Sequence, residues 1–77
     1  MKESSAAMRR DLGRLMAKER NERGWYQSEV AAKLGISQPS YNQYENGTRG
    51  MDLSMLIKVL ELYNIDFNEF RKRYKGE

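Results

Sequence analysis

Apolar residues recur at helical spacing in successive stretches, separated by glycine, asparagine and small polar residues. Met8, Leu12, Leu15 and Met16, with charged residues between them, keep that period as far as Arg23, and Gly24 ends it. Val30, Ala31 and Leu34 carry a second helix over about Gln27 to Leu34, which Gly35 stops. After the short turn Gly35-Ile36-Ser37, a third helix is predicted over about Gln38 to Glu45. Ser37 is its cap, and Pro39 falls in the first turn, where a backbone N–H has no helical partner. Asn46-Gly47 closes it, and Thr48-Arg49-Gly50-Met51 reads as an exposed connection.

Asp52 then caps a fourth helix in which Leu53, Leu56, Ile57, Leu60 and Tyr63 make one apolar stripe, ended by Asn64. Asp66 caps a short fifth helix that turns Phe67 and Phe70 inward, with Arg71-Lys72-Arg73-Tyr74-Lys75 as a basic end. Residues 1–7 have no apolar period and read as a flexible tail, with Ser4 or Ser5 available as an N-cap. The prediction is therefore all-α, a compact five-helix bundle over residues 8–75 with a helix-turn-helix at about 27–46. Its core should contain Leu12, Met16, Val30, Ala31, Leu34, Ile36, Tyr44, Leu53, Leu56, Leu60, Ile65 and Phe70.

Composition narrows the function. The 77 residues contain no Cys and no His, so disulfides, thiolate nucleophiles, common zinc sites and imidazole acid–base chemistry are all excluded. No paired nucleophile and base and no metal-ligand cluster is visible, so no enzyme, metal or cofactor is implied. No apolar run approaches the roughly 18 residues of a membrane span, and Met1 to Ala7 is too polar for a signal peptide, which makes the cytoplasm the expected compartment. Fourteen Lys and Arg against eleven Asp and Glu give a charge of +3, which favours a polyanionic partner without requiring one.

The most informative unit is two short helices joined by a glycine turn, a geometry that can present its second helix to a DNA groove. It needs a small residue where the helices cross, supplied by Ala31, and an apolar plug after the turn, supplied by Ile36. Tyr41 and Tyr44, three apart, can face the core, which leaves Gln38, Pro39, Asn42 and Gln43 outward. Gln and Asn amides carry an acceptor and two donors in one plane and can pair bidentately with adenine N6 and N7 in the major groove. Pro39 can contribute only apolar contact, for example with a thymine methyl. Between Val30 and Met51 the only acid is Glu45, so a DNA-facing surface there would meet little like-charge repulsion. Arg9, Arg10, Arg14 and the Arg71 to Lys75 cluster read as solvated helix faces rather than as phosphate contacts.

The ordered set Leu12-Gly13, Arg20, Gly24, Gln27, Val30-Ala31, Leu34-Gly35-Ile36-Ser37, Tyr44-Glu45-Asn46-Gly47, Leu56 and Ile65 resembles the Cro and phage-repressor type of helix-turn-helix, the XRE family. The resemblance covers about Leu12 to Phe70. It implies a lambda-repressor-like bundle with helix 2 over the phosphate backbone and helix 3 in the major groove, acting as a homodimer on a two-fold operator in double-stranded DNA. Gln38, Pro39, Asn42 and Gln43 would then read bases, while Gln27, Ser37, Ser40, Asn46, Thr48 and Arg49 would meet phosphates. Gln27 would also buttress Gln38, and Arg20 and Glu45 would form an ion pair joining helix 1 to helix 3. The chain departs from the family pattern at Tyr41, usually aliphatic, at Pro39, at Glu19, and at Gly50-Met51, where proline is common. The expected function is a sequence-specific transcriptional regulator, a repressor. The alternative is a protein-interaction module such as an antitoxin built on the same fold, for which acidic or apolar residues would be expected on helix 3.

Overall fold

The computed structural model describes the backbone of residues 2–75 and the side chains of residues 5–72. Its helices are α1 (Lys2–Glu22), α2 (Gln27–Leu34), α3 (Gln38–Asn46), α4 (Leu53–Leu62) and α5 (Phe67–Lys75), and the described residues contain no strand. Helix α1 starts earlier than the sequence pattern suggests. Residues 2–7, expected as a tail, form its first turns, because this stretch has no glycine or proline to stop a helix and Ala6-Ala7 favours one. The side chain of Ser4 lies outside the described residues, as do those of Arg73, Tyr74 and Lys75 in the basic end.

The caps follow local chemistry. At the start of α2 the Glu29 carboxylate reaches back to accept from the Tyr26 backbone N–H at 2.7 Å. Gly35 sits at φ +74°, a left-handed conformation a side chain would strain, and it turns the chain so that Ile36 N–H bonds the Ala31 carbonyl at 3.0 Å. Ser37 Oγ accepts from the Ser40 N–H at 3.2 Å, and Pro39 occupies the first turn of α3. Asp52 and Asp66 cap α4 and α5 through the N–H groups of Met55 and Asn68. Asn64, at φ +55°, makes the turn between these last two helices.

Met16, Val30, Tyr41 and Val59 are fully buried, surrounded by Leu12, Ala31, Leu34, Tyr44, Tyr63 and Phe70. Ile36, Leu56 and Ile65 pack against this cluster from its margin. Helix α1 crosses the C-terminal end of α3 at Gly13, where even a methyl group would collide with the Glu45 carbonyl and lie 2.7 Å from the Tyr44 carbonyl oxygen. That absence of a side chain sets how closely α3 is held.

The apolar stripe of α4 is wider than the face that packs. Leu53 is 70% exposed, Ile57 is exposed, and Phe67 of α5 faces outward beside them, against the expectation that Leu53 and Phe67 face inward. Each residue advances about 100° around a helix, so Leu53 and Ile57 lie to one side of Leu60 and Tyr63, which reach the core together with Val59, a residue the stripe did not include. The exposed side is an open apolar groove lined by Leu53, Ile57, Leu60, Ile65 and Phe67, with Glu61 and Asn64 at its rim.

Candidate nucleic-acid interface

Helix α3 is nine residues long and is clamped between α1 and α2, with Tyr41 and Tyr44 turned inward. On its inner side the central group is Glu45, whose side chain is only 6% exposed. Arg20 of α1 grips it with two hydrogen bonds, Nε to Oε2 at 2.6 Å and Nη2 to Oε1 at 3.1 Å. The remaining Arg20 nitrogen, Nη1, donates to the Trp25 carbonyl at 3.0 Å, so α1, the α1–α2 turn and α3 are joined through one guanidinium. The ion pair implied by the resemblance is thus present and nearly dry.

One further donor reaches the same carboxylate. Gln27 Nε2 donates to Oε1 at 3.0 Å. Beside it, the Tyr41 hydroxyl lies 2.6 Å from the Tyr63 hydroxyl. Burial pushes the Glu45 carboxyl up, but the bonds from Arg20 and Gln27, the nearby Tyr41 hydroxyl and the charge of Arg20 outweigh it and hold the group below its ordinary range. The bond to Glu45 raises Arg20 against the opposing effect of burial, while burial raises Tyr41 and Tyr63. The sole acid between Val30 and Met51 is therefore ionised, hidden and matched by a largely buried cation.

The outer side of α3 is the reverse. Gln38, Pro39, Asn42 and Gln43 are all exposed, as the sequence pattern placed them. The side chains of Gln38 and Gln43 make no bond to other described residues. Asn42 is the exception, since its Oδ1 accepts from Gln27 Nε2 at 3.1 Å. The expected partner of Gln27 was Gln38, but Asn42 lies one turn further along α3, on the same side as Glu45, where Gln27 reaches both.

Residues expected at phosphates ring this face. Ser37 and Ser40 are joined through their hydroxyls at 3.0 Å, Thr48 Oγ1 donates to the Gln43 carbonyl, and Asn46 is exposed at the end of the helix. Arg49 donates to Ser40 Oγ at 2.8 Å and stacks over the Tyr44 ring at 5.3 Å, which fixes an exposed cation beside the amides. Arg9 instead turns to the end of α3, where its Nε bonds the Gly47 carbonyl, and Arg14 pairs with Asp11 on the α1 surface.

Sequence reasoning missed the Tyr41–Tyr63 pair. Tyr63 reads as one more apolar residue of the α4 stripe, and the only signal was that Tyr41 replaces an aliphatic residue and must find a hydroxyl partner. It also missed the stack of Arg23 over Trp25 and Tyr63, at 5.5 and 5.4 Å, which closes the α1–α2 corner.

A helix-turn-helix family model matches residues 16–70. Among curated proteins, the chain is 36% identical over 50 residues to the antitoxin HipB of Escherichia coli K12, a match covering 65% of this chain and 57% of that protein. It is 35% identical over 54 residues to the HTH-type transcriptional regulator ImmR of Bacillus subtilis, covering 70% and 42%. It is 36% identical over 56 residues to a putative HTH-type transcriptional regulatory protein of Halorubrum lacusprofundi, covering 73% and 17%. The chain thus spans between 17% and 57% of the length of these relatives.

Proposed function

Because this chain belongs to the Cro and phage-repressor type of helix-turn-helix proteins, we propose that it binds a specific operator in double-stranded DNA and regulates transcription in the cytoplasm as a repressor. The observation that carries this reading is the contrast across α3, an uncharged amide surface outside and a fully bonded anchor inside. Gln38, Asn42 and Gln43 read base edges, and Pro39 makes apolar contact. The N-terminus of α2 at Gln27, together with Ser37, Ser40, Asn46, Thr48 and Arg49, holds phosphates. The Gln27 side chain has both its N–H groups committed to Glu45 and Asn42, so the backbone N–H groups of the first turn of α2 serve the phosphate.

A homodimer on a two-fold site belongs to the same reading, with half-sites centred about 34–36 Å apart or a multiple of it. Selection of binding sequences from random duplexes, followed by footprinting at near-physiological salt, tests the proposal. A palindromic site with that spacing is expected, and uniform binding to all sequences would contradict it.

One observation favours a second reading, that of a protein-binding module such as an antitoxin. The outward Leu53, Ile57 and Phe67 offer an apolar surface to a protein partner, and HipB, an antitoxin, is among the similar proteins. The two readings place function on different helices. Substitutions on α3 should abolish operator binding under the first, and Ile57→Ser on α4 should abolish complex formation under the second.

A further inference from the structure

We propose that Asn42 reads DNA purely as a hydrogen-bond donor, that the base it selects is guanine, and that Gln27 is the positioning residue that fixes this polarity. The inference rests on α3 lying in the major groove, as proposed above.

The polarity starts at Glu45. An ionised carboxylate has only acceptors, so the Gln27 atom 3.0 Å from its Oε1 is the amide nitrogen. That same nitrogen lies 3.1 Å from Asn42, and the Asn42 atom facing it must be the acceptor, Oδ1. The Asn42 amide therefore has its oxygen turned toward α2 and keeps its Nδ2 for the exposed side, where the nitrogen has no partner among the described residues. The order runs without a break from a partly buried cation to the surface: Arg20 donates to Glu45, Gln27 donates to Glu45 and to Asn42, and Asn42 is left donating outward.

An amide with both ends free matches adenine, which offers an acceptor at N7 and a donor at N6. Gln38 and Gln43 keep both ends free and retain that option. Asn42 turns two N–H groups outward, while its oxygen is engaged on the α2 side by Gln27. Guanine answers with two acceptors, N7 and O6, in the way it answers an ammonium. Adenine would set its amino group against that of Asn42, thymine supplies one acceptor, and cytosine supplies a donor. The expected order is guanine first, adenine and thymine behind it, and cytosine last.

The test uses the full chain and the operator recovered by selection from random duplexes. Asn42→Ala in the same selection identifies the base pair whose preference relaxes. Wild-type affinity is then measured with guanine, adenine and 7-deazaguanine, which lacks the N7 acceptor, at that position. Guanine should exceed adenine by about tenfold, with 7-deazaguanine falling most of the way to adenine. Gln27→Met, of similar length but without N–H groups, frees the Asn42 amide to rotate and should bring guanine and adenine to within about twofold, with thermal stability and random-DNA binding followed in parallel. A Gln27→Met protein that loses stability but keeps the full guanine preference overturns the positioning role, and wild-type preference for adenine overturns the polarity itself. If Asn42→Ala relaxes no base pair while Gln43→Ala relaxes one, Asn42 is not a reader and the major-groove reading survives. If neither variant alters the selected sequence, both fail. Should Gln27→Met not fold, the wild-type series with 7-deazaguanine decides the polarity alone.

Discussion

On the inner side of α3, Tyr41 and Glu45 have their side-chain polar atoms bonded to Arg20, Gln27 and Tyr63, and no buried side-chain nitrogen or oxygen among the described residues lacks a partner. On the outer side, Gln38 and Gln43 have none of their side-chain donors or acceptors bonded to described residues. The difference separates two tasks that one helix performs. A reading surface has to stay unsatisfied until DNA supplies the partners, and it is useful only if the helix behind it does not move. The inner network supplies that rigidity, and Asn42, bonded to Gln27, is the one outward residue that belongs to both sides.

The largest effect should come from the inner side. Glu45→Ala leaves the Arg20 guanidinium buried without its anion and should destabilise the fold by about 3–5 kcal/mol. Arg20→Ala should cost a comparable amount. The double variant should cost less than the sum, by an interaction energy of about 0.5–3 kcal/mol in a denaturation cycle. Additive losses would mean that the two faces are not held by this pair. The same pair sets the response to acid. With its folded-state pKa depressed, Glu45 contributes fully above the ordinary carboxylate value of 4.5, and that stability drains away as pH falls through the lower folded value. Glu45→Gln should flatten this part of the pH dependence.

Ala31→Leu should come next, at about 1–3 kcal/mol, because Ala31 is 3% exposed in the core cluster and the sequence pattern places it where α2 and α3 cross, so added methylenes should overpack that contact. Unchanged thermal stability in that variant would move the α2–α3 crossing elsewhere. A smaller and different effect belongs to Arg49→Ala on the outer rim. All sequences should weaken alike, and the slope of log K against log salt should flatten by about one unit per half-site, with folding almost unaffected. A loss confined to one base pair would make Arg49 a reader instead.

The fold was legible wherever a local rule sufficed. Gly35, Ser37, Pro39 and Asp52 mark ends that backbone chemistry alone decides, and the helix boundaries they imply match the structure. Arg20 and Glu45 lie twenty-five positions apart, and no periodicity joins them. Their pairing came through the family resemblance. Less was legible where an apolar residue had two faces to choose between. Leu53, Ile57 and Phe67 satisfy a helical stripe but not the geometry of this core, since periodicity gives the width of an apolar face without the size of what it meets. The Gln27–Asn42 bond was out of reach for a similar reason. Which of several outward amides a neighbouring helix touches depends on how α2 and α3 cross, and not on residue type.

The central claim is that the outer face of α3 confers sequence preference while the inner face confers stability. Gln43→Ala tests it most directly, because Gln43 is exposed and its side chain bonds no described residue. Affinity for the selected operator and for random duplex should be measured at one salt concentration, alongside the thermal midpoint. Expected are an operator loss of about 1–3 kcal/mol, relaxed preference at one base pair, nearly intact random-DNA binding and an unchanged midpoint. Equal losses on operator and random DNA would contradict it.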